Sequence, residues 1–194
     1  MKEKKDQVIH SGHIFKGIEK LLYKSDSLRP MLSMAIVREG YLLATDSHHL
    51  VKIKLEFFGL DEVSINLLEG KCFDKDLLNK LATIKSGVSW FVDEQGFNLL
   101  KPQTLKVGTV YTFGNASDEG VYPNCEQVIP TVKESVDTIN FNPTFLVNIN
   151  SIYNNYKGKE DRDLYTNFHG NNKAFTLDNE SKTFLGLVML KYIS

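Results

Sequence analysis

The chain has 194 residues, with 42% hydrophobic and 24% charged side chains and a formal net charge of -1. That length can bury a real core, as one large domain or two small ones, and the near-zero charge excludes a global basic field that would draw the protein to nucleic acid. The two cysteines, Cys72 and Cys125, have no framework or metal-ligand spacing and fit a reducing, cytoplasmic compartment; the charged N-terminus leads into no signal core, and no run approaches the ~18 apolar residues of a membrane span.

In chain order the elements fall into three similar groups. A short strand near Gln7–His10 leads to a helix over Ser11–Lys24. Ser11 is its N-cap, and Ile14, Phe15, Ile18, Leu21 and Leu22 recur at helical spacing. Strands are expected over Met31–Arg38, Tyr41–Thr45 and His49–Leu55, with a tight turn at Glu39–Gly40.

The second group starts with a strand over Glu62–Glu69. A helix over Phe73–Ile84 places Phe73, Leu77, Leu78, Leu81 and Ile84 on one face. Strands Val88–Asp93, Phe97–Lys101 and Leu105–Phe113 follow. A polar connector, Gly114–Glu134, comes next.

The third group opens with a strand over Val136–Phe141. Asn142–Pro143 reads as N-cap plus first helical residue, and the helix runs to about Asn155. Strands Asp163–His169, Ala174–Leu177 and Thr183–Leu190 close the chain.

Two motifs stand out. Leu42–Leu50 reads as an apolar strand, then Ala-Thr-Asp-x-His, then a second strand. Far downstream, Gly120–Pro130 reads Gly-Val-Tyr-Pro-Asn-Cys-Glu-Gln-Val-Ile-Pro. Together they resemble the ATDGHRLA and FPDYxxVIP motifs of the bacterial sliding clamp, the β subunit of DNA polymerase III. The resemblance implies an α+β, DNA-clamp-like fold of three strand–helix–three-strand units, with helices on one face of antiparallel sheets. Residues 1–130 are similar to the clamp's central domain, two units. Residues 131–194 are similar to the second half of its last domain, ending in the apolar strand Phe184–Lys191. A full clamp subunit has six such units, so this chain carries about half of that architecture.

The resemblance further implies a non-enzymatic processivity scaffold of DNA replication or repair. Its partners would be replication or repair proteins, held by short peptides in a cleft between the two parts. Double-stranded DNA and further copies of the chain are the other implied partners; no cofactor and no membrane is implied. Carried over by position, the cleft involves Thr45, Ser47, His48, His49, Leu50, Pro123, Gln127, Val128, Val188, Met189 and Leu190. Such a site works through apolar pockets with a polar rim. The chain departs from the motifs at Ser47 (glycine in the family), His49 (arginine) and Asn124–Cys125 (aspartate-tyrosine), and Met189 stands near the place of a terminal-strand proline. The alternative is a decoy or regulator that captures a replication protein's peptide without encircling DNA.

Clamp helices present basic residues to phosphate. Here Lys16, Lys20 and Lys24 would form a stripe on the first helix, and Lys75, Lys80 and Lys85 lie along the second; such contacts are sequence-independent and salt-sensitive. Asp46, His48 and His49 also invite a metal reading. No third ligand stands at a suitable spacing, and adjacent residues of a strand point to opposite faces, so the two histidines are expected to diverge. Asp46 is expected to accept hydrogen bonds from its turn.

Overall fold

Strand alternation decides which side chains meet which layer. The computed structural model describes residues 7–8, 15–23, 29–58, 60–85, 88–101, 104, 106–115, 121–136, 139–156, 163–170 and 173–190. Among these, the strands are β1 (Gln7–Val8), β2 (Met34–Arg38), β3 (Tyr41–Thr45), β4 (His49–Lys54), β5 (Lys71–Asp74), β6 (Ser89–Asp93), β7 (Gly96–Leu100), β8 (Val107–Thr112), β9 (Gly114–Asn115), β10 (Tyr165–Asn167), β11 (Phe175–Asp178) and β12 (Phe184–Val188). The α-helices are α1 (Glu62–Leu68), α2 (Lys75–Ala82) and α3 (Pro143–Tyr156).

The strands form two antiparallel sheets. One has four strands in the order β1-β6-β7-β8; the other has eight, β10-β11-β12-β4-β3-β2-β5-β9. The short strands exchange partners: β1 pairs with β6, and β5 pairs with β2. In the larger sheet β12 pairs with β4, Leu187 opposite Leu50 and Val188 opposite His49. The last strand of the chain therefore continues the sheet begun near its start.

The two faces of the eight-stranded sheet carry different cores. Ala35, Val37, Leu42, Ala44, Val51, Ile53, Phe184 and Val188 face the helices and pack with Leu77, Leu81, Ile149 and Ile152. The intervening residues Ile36, Leu43, Leu50 and Leu187 face away and pack with Tyr122 and Cys125 of the connector. Period-two alternation along each strand produces this division.

Several expected elements differ. No α-helix forms over the described part of residues 11–24. Gly17 takes a left-handed φ of 94°, and only a 3-10 turn follows, Ile18–Leu21. Ser11, Ile14 and Lys24 lie outside the described residues. The close approach of Ile152 Cγ1, 3.2 Å from where a Gly17 Cβ would stand, shows what the glycine makes room for. Glu62–Leu68 is a helix, not a strand, because Asp61 caps it by accepting from the Ser64 amide at 2.8 Å. The apparent alternation of Val63, Ile65 and Leu67 lost to that cap. The next helix starts at Lys75 rather than Phe73, since Asp74 caps it through the Leu77 amide at 2.7 Å; Phe73 belongs to β5. The described part of Val136–Phe141 is not a strand. The third helix stands as expected, with Asn142 accepting from the Thr144 amide at 3.0 Å.

Candidate functional site

The β3–β4 hairpin heads the site. Its turn is organised by one carboxylate oxygen. Asp46 Oδ1 accepts from the His48 amide at 2.9 Å, the His49 amide at 3.0 Å and His49 Nδ1 at 2.7 Å. Burial pushes this carboxyl up, but the His49 ring and the two amides outweigh it and hold it below the ordinary aspartate range. Thr45 Oγ1 donates to the His49 carbonyl at 2.8 Å and accepts the Ser47 amide at 3.1 Å. Ser47 sits at φ 75°, the left-handed region that favours glycine.

The two histidines do not diverge. His48 lies in the turn, before β4 begins at His49, so strand alternation does not separate them. Both rings lie nearly parallel to Phe145 of α3, with centroids 5.8 Å and 4.6 Å away. His49 is buried, and its Nε2 stands 3.5 Å from Asn148 Nδ2. With Nδ1 donating to Asp46 and Nε2 accepting from Asn148, the pair fastens α3 to the hairpin. Among the described residues no three His, Cys, Asp or Glu side chains converge as a metal-binding group.

The connector covers the opposite face of the sheet. Tyr122 is buried, and its hydroxyl donates to the Leu43 carbonyl at 3.4 Å. Asn124 caps a 3-10 turn, Cys125–Val128, by accepting the Glu126 amide at 3.2 Å. Burial pushes the Cys125 thiol up to about 11, so it is un-ionised near neutral pH. Burial likewise raises the Tyr122 phenol well above its usual value. Outside these anchors, Lys52 pairs with Glu126 and lies 4.4 Å from the Tyr41 ring centre.

A groove of about 510 Å³ opens between hairpin, connector and chain end. It is lined by Arg29, Pro30, Met31, Leu32, Thr45, Ser47, His49, Leu50, Val121, Pro123, Asn124, Cys125, Val128, Leu187 and Met189. Leu50, Leu187, Met31 and Cys125 are buried, while Val121 (92% exposed), Val128 (49%) and Met189 (38%) leave apolar surface at the solvent. Met189 is tied in through its amide, which donates to the His48 carbonyl at 2.9 Å.

Of the residues assigned from the motifs, Thr45, Ser47, His49, Leu50, Pro123, Val128 and Met189 meet at this groove. The others stand elsewhere. His48 is exposed beside Phe145, and Gln127 is exposed on its turn without lining the groove. Val188 is fully buried on the helix side of the sheet, and Leu190 packs against that same core. The parity of β12 explains this: Phe184, Gly186 and Val188 face inward, so Leu187 and Met189 face the groove. The sequence reading missed Leu187 by one residue. It also missed Arg29 and the residues Pro30, Met31 and Leu32 that follow it, which belong to a 3-10 turn, Pro30–Ser33, rather than to the start of a strand. Proline at the first position of that turn was the available signal.

The lysines lie on the helix side. Lys16 and Lys20 are exposed, but without the expected helix they form no stripe at i and i+4, and Lys24 is outside the described residues. Lys75, Lys80 and Lys85 are exposed on α2 and just beyond it. Lys20 and Lys75 border a depression that they share with Glu19, Asp74 and Asp76. Helix α3 contains no charged residue. No helix of the described residues is long and apolar enough to cross a membrane.

No protein-family model matches the chain, and no curated protein matches it in sequence. Solved structures do match in fold. The DNA polymerase sliding clamp from Bacillus subtilis superposes with a TM-score of 0.58 at 15% identity, over 99% of this chain and 66% of that one. A sliding clamp (DNA polymerase III subunit beta) from Bartonella birtlesii bound to griselimycin gives 0.61 at 12% identity, over 97% and 67%. The Helicobacter pylori beta clamp bound to a DNA ligase peptide gives 0.56 at 13% identity, over 97% and 66%. The chain has the sliding-clamp fold, and spans about two thirds of the length of these clamps.

Proposed function

We propose that this protein is a non-enzymatic, clamp-fold scaffold of DNA replication or repair that holds partner proteins by short apolar peptides. The observation that carries the reading is the groove, in which the Thr45–Leu50 hairpin, the Pro123–Val128 segment and Leu187–Met189 present apolar walls to solvent. Its volume lies in the range of ligand sites. Met31 and Met189 suit pockets that adapt to several side chains. A clamp of the same fold is bound to a DNA ligase peptide, which supports the same use of this chain. In this reading the segments 1–130 and 131–194 are the counterparts of two clamp domains, and the groove lies where they meet.

Fluorescence anisotropy with short peptides carrying leucine and phenylalanine anchors tests the proposal. Binding is expected, and Leu187→Asp, which puts a charge against the groove floor, is expected to abolish it. Absence of binding by the folded parent to any such peptide overturns the reading.

One observation favours the version in which no DNA is encircled. The helix side offers an uncharged α3 and lysines interspersed with carboxylates. Replacing Lys16, Lys20 and Lys75 by alanine separates the versions. If all three touch phosphate, the log–log salt slope of duplex binding flattens by roughly 2–3; an unchanged slope leaves the peptide scaffold alone.

A further inference from the structure

Two stretches of the chain, Lys71–Ile84 and Ile139–Ile152, align residue for residue. Phe73 matches Phe141, the helix cap Asp74 matches the cap Asn142, Leu78 matches Leu146, Leu81 matches Ile149 and Ile84 matches Ile152. Their fates differ. Phe73 and Leu78 are completely buried, whereas Phe141 and Leu146 are only partly buried. Lys71–Asp74 form β5 and pair with β2, whereas residues 139–142 belong to no strand.

The difference follows from strand exchange. β1 precedes the Ile18–Leu21 turn and pairs with β6, the first strand after α2. β5 precedes α2 and pairs with β2, the first strand after that turn. Each helical segment thus hands the strand before it to the other's sheet. For α3 both halves of such an exchange are missing among the described residues. The segment before it pairs with nothing, and β10, the first strand after it, has a strand on one side only. Glu134 bridges to His169, just past the end of β10.

We infer that two copies of this chain complete one another, each laying Asn140–Asn142 antiparallel along the other's β10 about a two-fold axis. Parity sets the register. Leu177 faces the helices and lies opposite Thr166, so Thr166 faces them too. Phe141 packs on the same core, its ring 5.1 Å from that of Phe175. Phe141 therefore opposes the partner's Thr166, and Asn140 opposes the partner's Asn167, as Phe73 opposes Ala35 and Cys72 opposes Ile36. Leu146 becomes covered as Leu78 is. Helix α3 holds no charged residue, so no charge on it repels its own image across the axis. The contact is an exchange like that of β1 and β5, not an edge-to-edge joining like that of β12 and β4.

Light scattering behind size exclusion tests this with the full chain over a concentration series. A mass of twice 22.1 kDa is expected for the parent. Leu146→Lys is expected to return it to the single-chain mass. Val147→Lys, at a residue that is 64% exposed and matches the exposed Asn79, is expected to leave the dimer intact. A second measurement does not depend on Leu146→Lys folding. Asn140→Cys combined with Asn167→Cys should form a disulfide-linked dimer on mild oxidation, because directly opposed residues stand within bridging distance, while neither single variant should; the native Cys72 and Cys125 are buried. A parent that stays at the single-chain mass at its highest soluble concentration overturns the inference. So does a dimer that survives in folded Leu146→Lys, one lost equally in Val147→Lys, or a cysteine pair that fails to link two chains.

Discussion

Replacing Asp46 by asparagine asks whether the hairpin that heads the groove is set by a charge. One oxygen of Asp46 accepts three N–H groups, two from the backbone and one from the His49 ring. Asparagine keeps an acceptor oxygen but loses the charge. Charge-assisted bonds of this kind are worth more than neutral ones, so the loss at neutral pH is about 1–2 kcal/mol. Screening removes only part of this, because the carboxylate side chain is 18% exposed. The pH dependence has a definite sign. The folded-state pKa lies below the ordinary value of 3.8, so as pH falls the unfolded chain takes up the proton first. The carboxylate's contribution is complete above about pH 5 and vanishes as the pH drops through the folded value. Urea unfolding followed by the emission of Trp90, the single tryptophan of the chain, measures this from pH 8 down to about 3. A difference between parent and variant that stays constant across the whole range, or grows as pH falls, refutes the reasoning.

Two further substitutions probe the elements around the groove. Ser47→Gly relieves a left-handed φ of 75°; a gain of up to about 1 kcal/mol is expected, since the conformational relief exceeds the flexibility given to the unfolded chain, and a loss of more than 1 kcal/mol on the same urea scale argues against strain there. Gly186→Ala drives a methyl to 2.5 Å from Ile149 Cγ2 and is expected to cost about 1–3 kcal/mol by overpacking. Adding Ile149→Ala should recover part of that loss, a coupling a double-mutant cycle reads directly, and strictly additive effects would show that the two side chains do not meet.

The parts legible in the sequence are those where local chemistry and tertiary packing agree. The hairpin at Glu39–Gly40, the Asn142–Pro143 start of α3 and the apolar last strand all carry their own signals. The errors come from competition. In Glu62–Leu68 a period-two pattern concealed a helix that Asp61 caps. In residues 15–23 good helical spacing was overruled by Gly17, whose left-handed φ lets the chain pass close to Ile152. At Val188 the error was one of parity: a strand shows which residues alternate, but which set faces the helices depends on Gly186 lying under Ile149. Arg29 and Val121 were illegible for a different reason. They lie outside any regular element, and only the folded chain brings them beside Leu187.

Peptide capture and encirclement of DNA make separate demands on this chain. The groove needs only segments that hold one another. Leu187 pairs with Leu50 across β12 and β4, and Val188 with His49, so β12 is hydrogen-bonded to the hairpin. Tyr122 and Cys125 seat the connector in the core on that face of the sheet, and the Lys52–Glu126 pair ties it at the surface. His169 holds the connector further on, with Nδ1 donating to the Val132 carbonyl at 2.6 Å and Nε2 accepting from Thr176 Oγ1 at 3.0 Å. Hairpin, β12 and connector are therefore held together by contacts within one chain, which spans about two thirds of the solved clamps. Closing a ring would instead require complementary sheet edges; among the described residues the outer strands are β1 and β8 of one sheet and β10 and β9 of the other. Those edges share no residue with the groove. A substitution that blocks association at any of these edges should leave peptide affinity unchanged, and a charge at Leu187 should leave association unchanged.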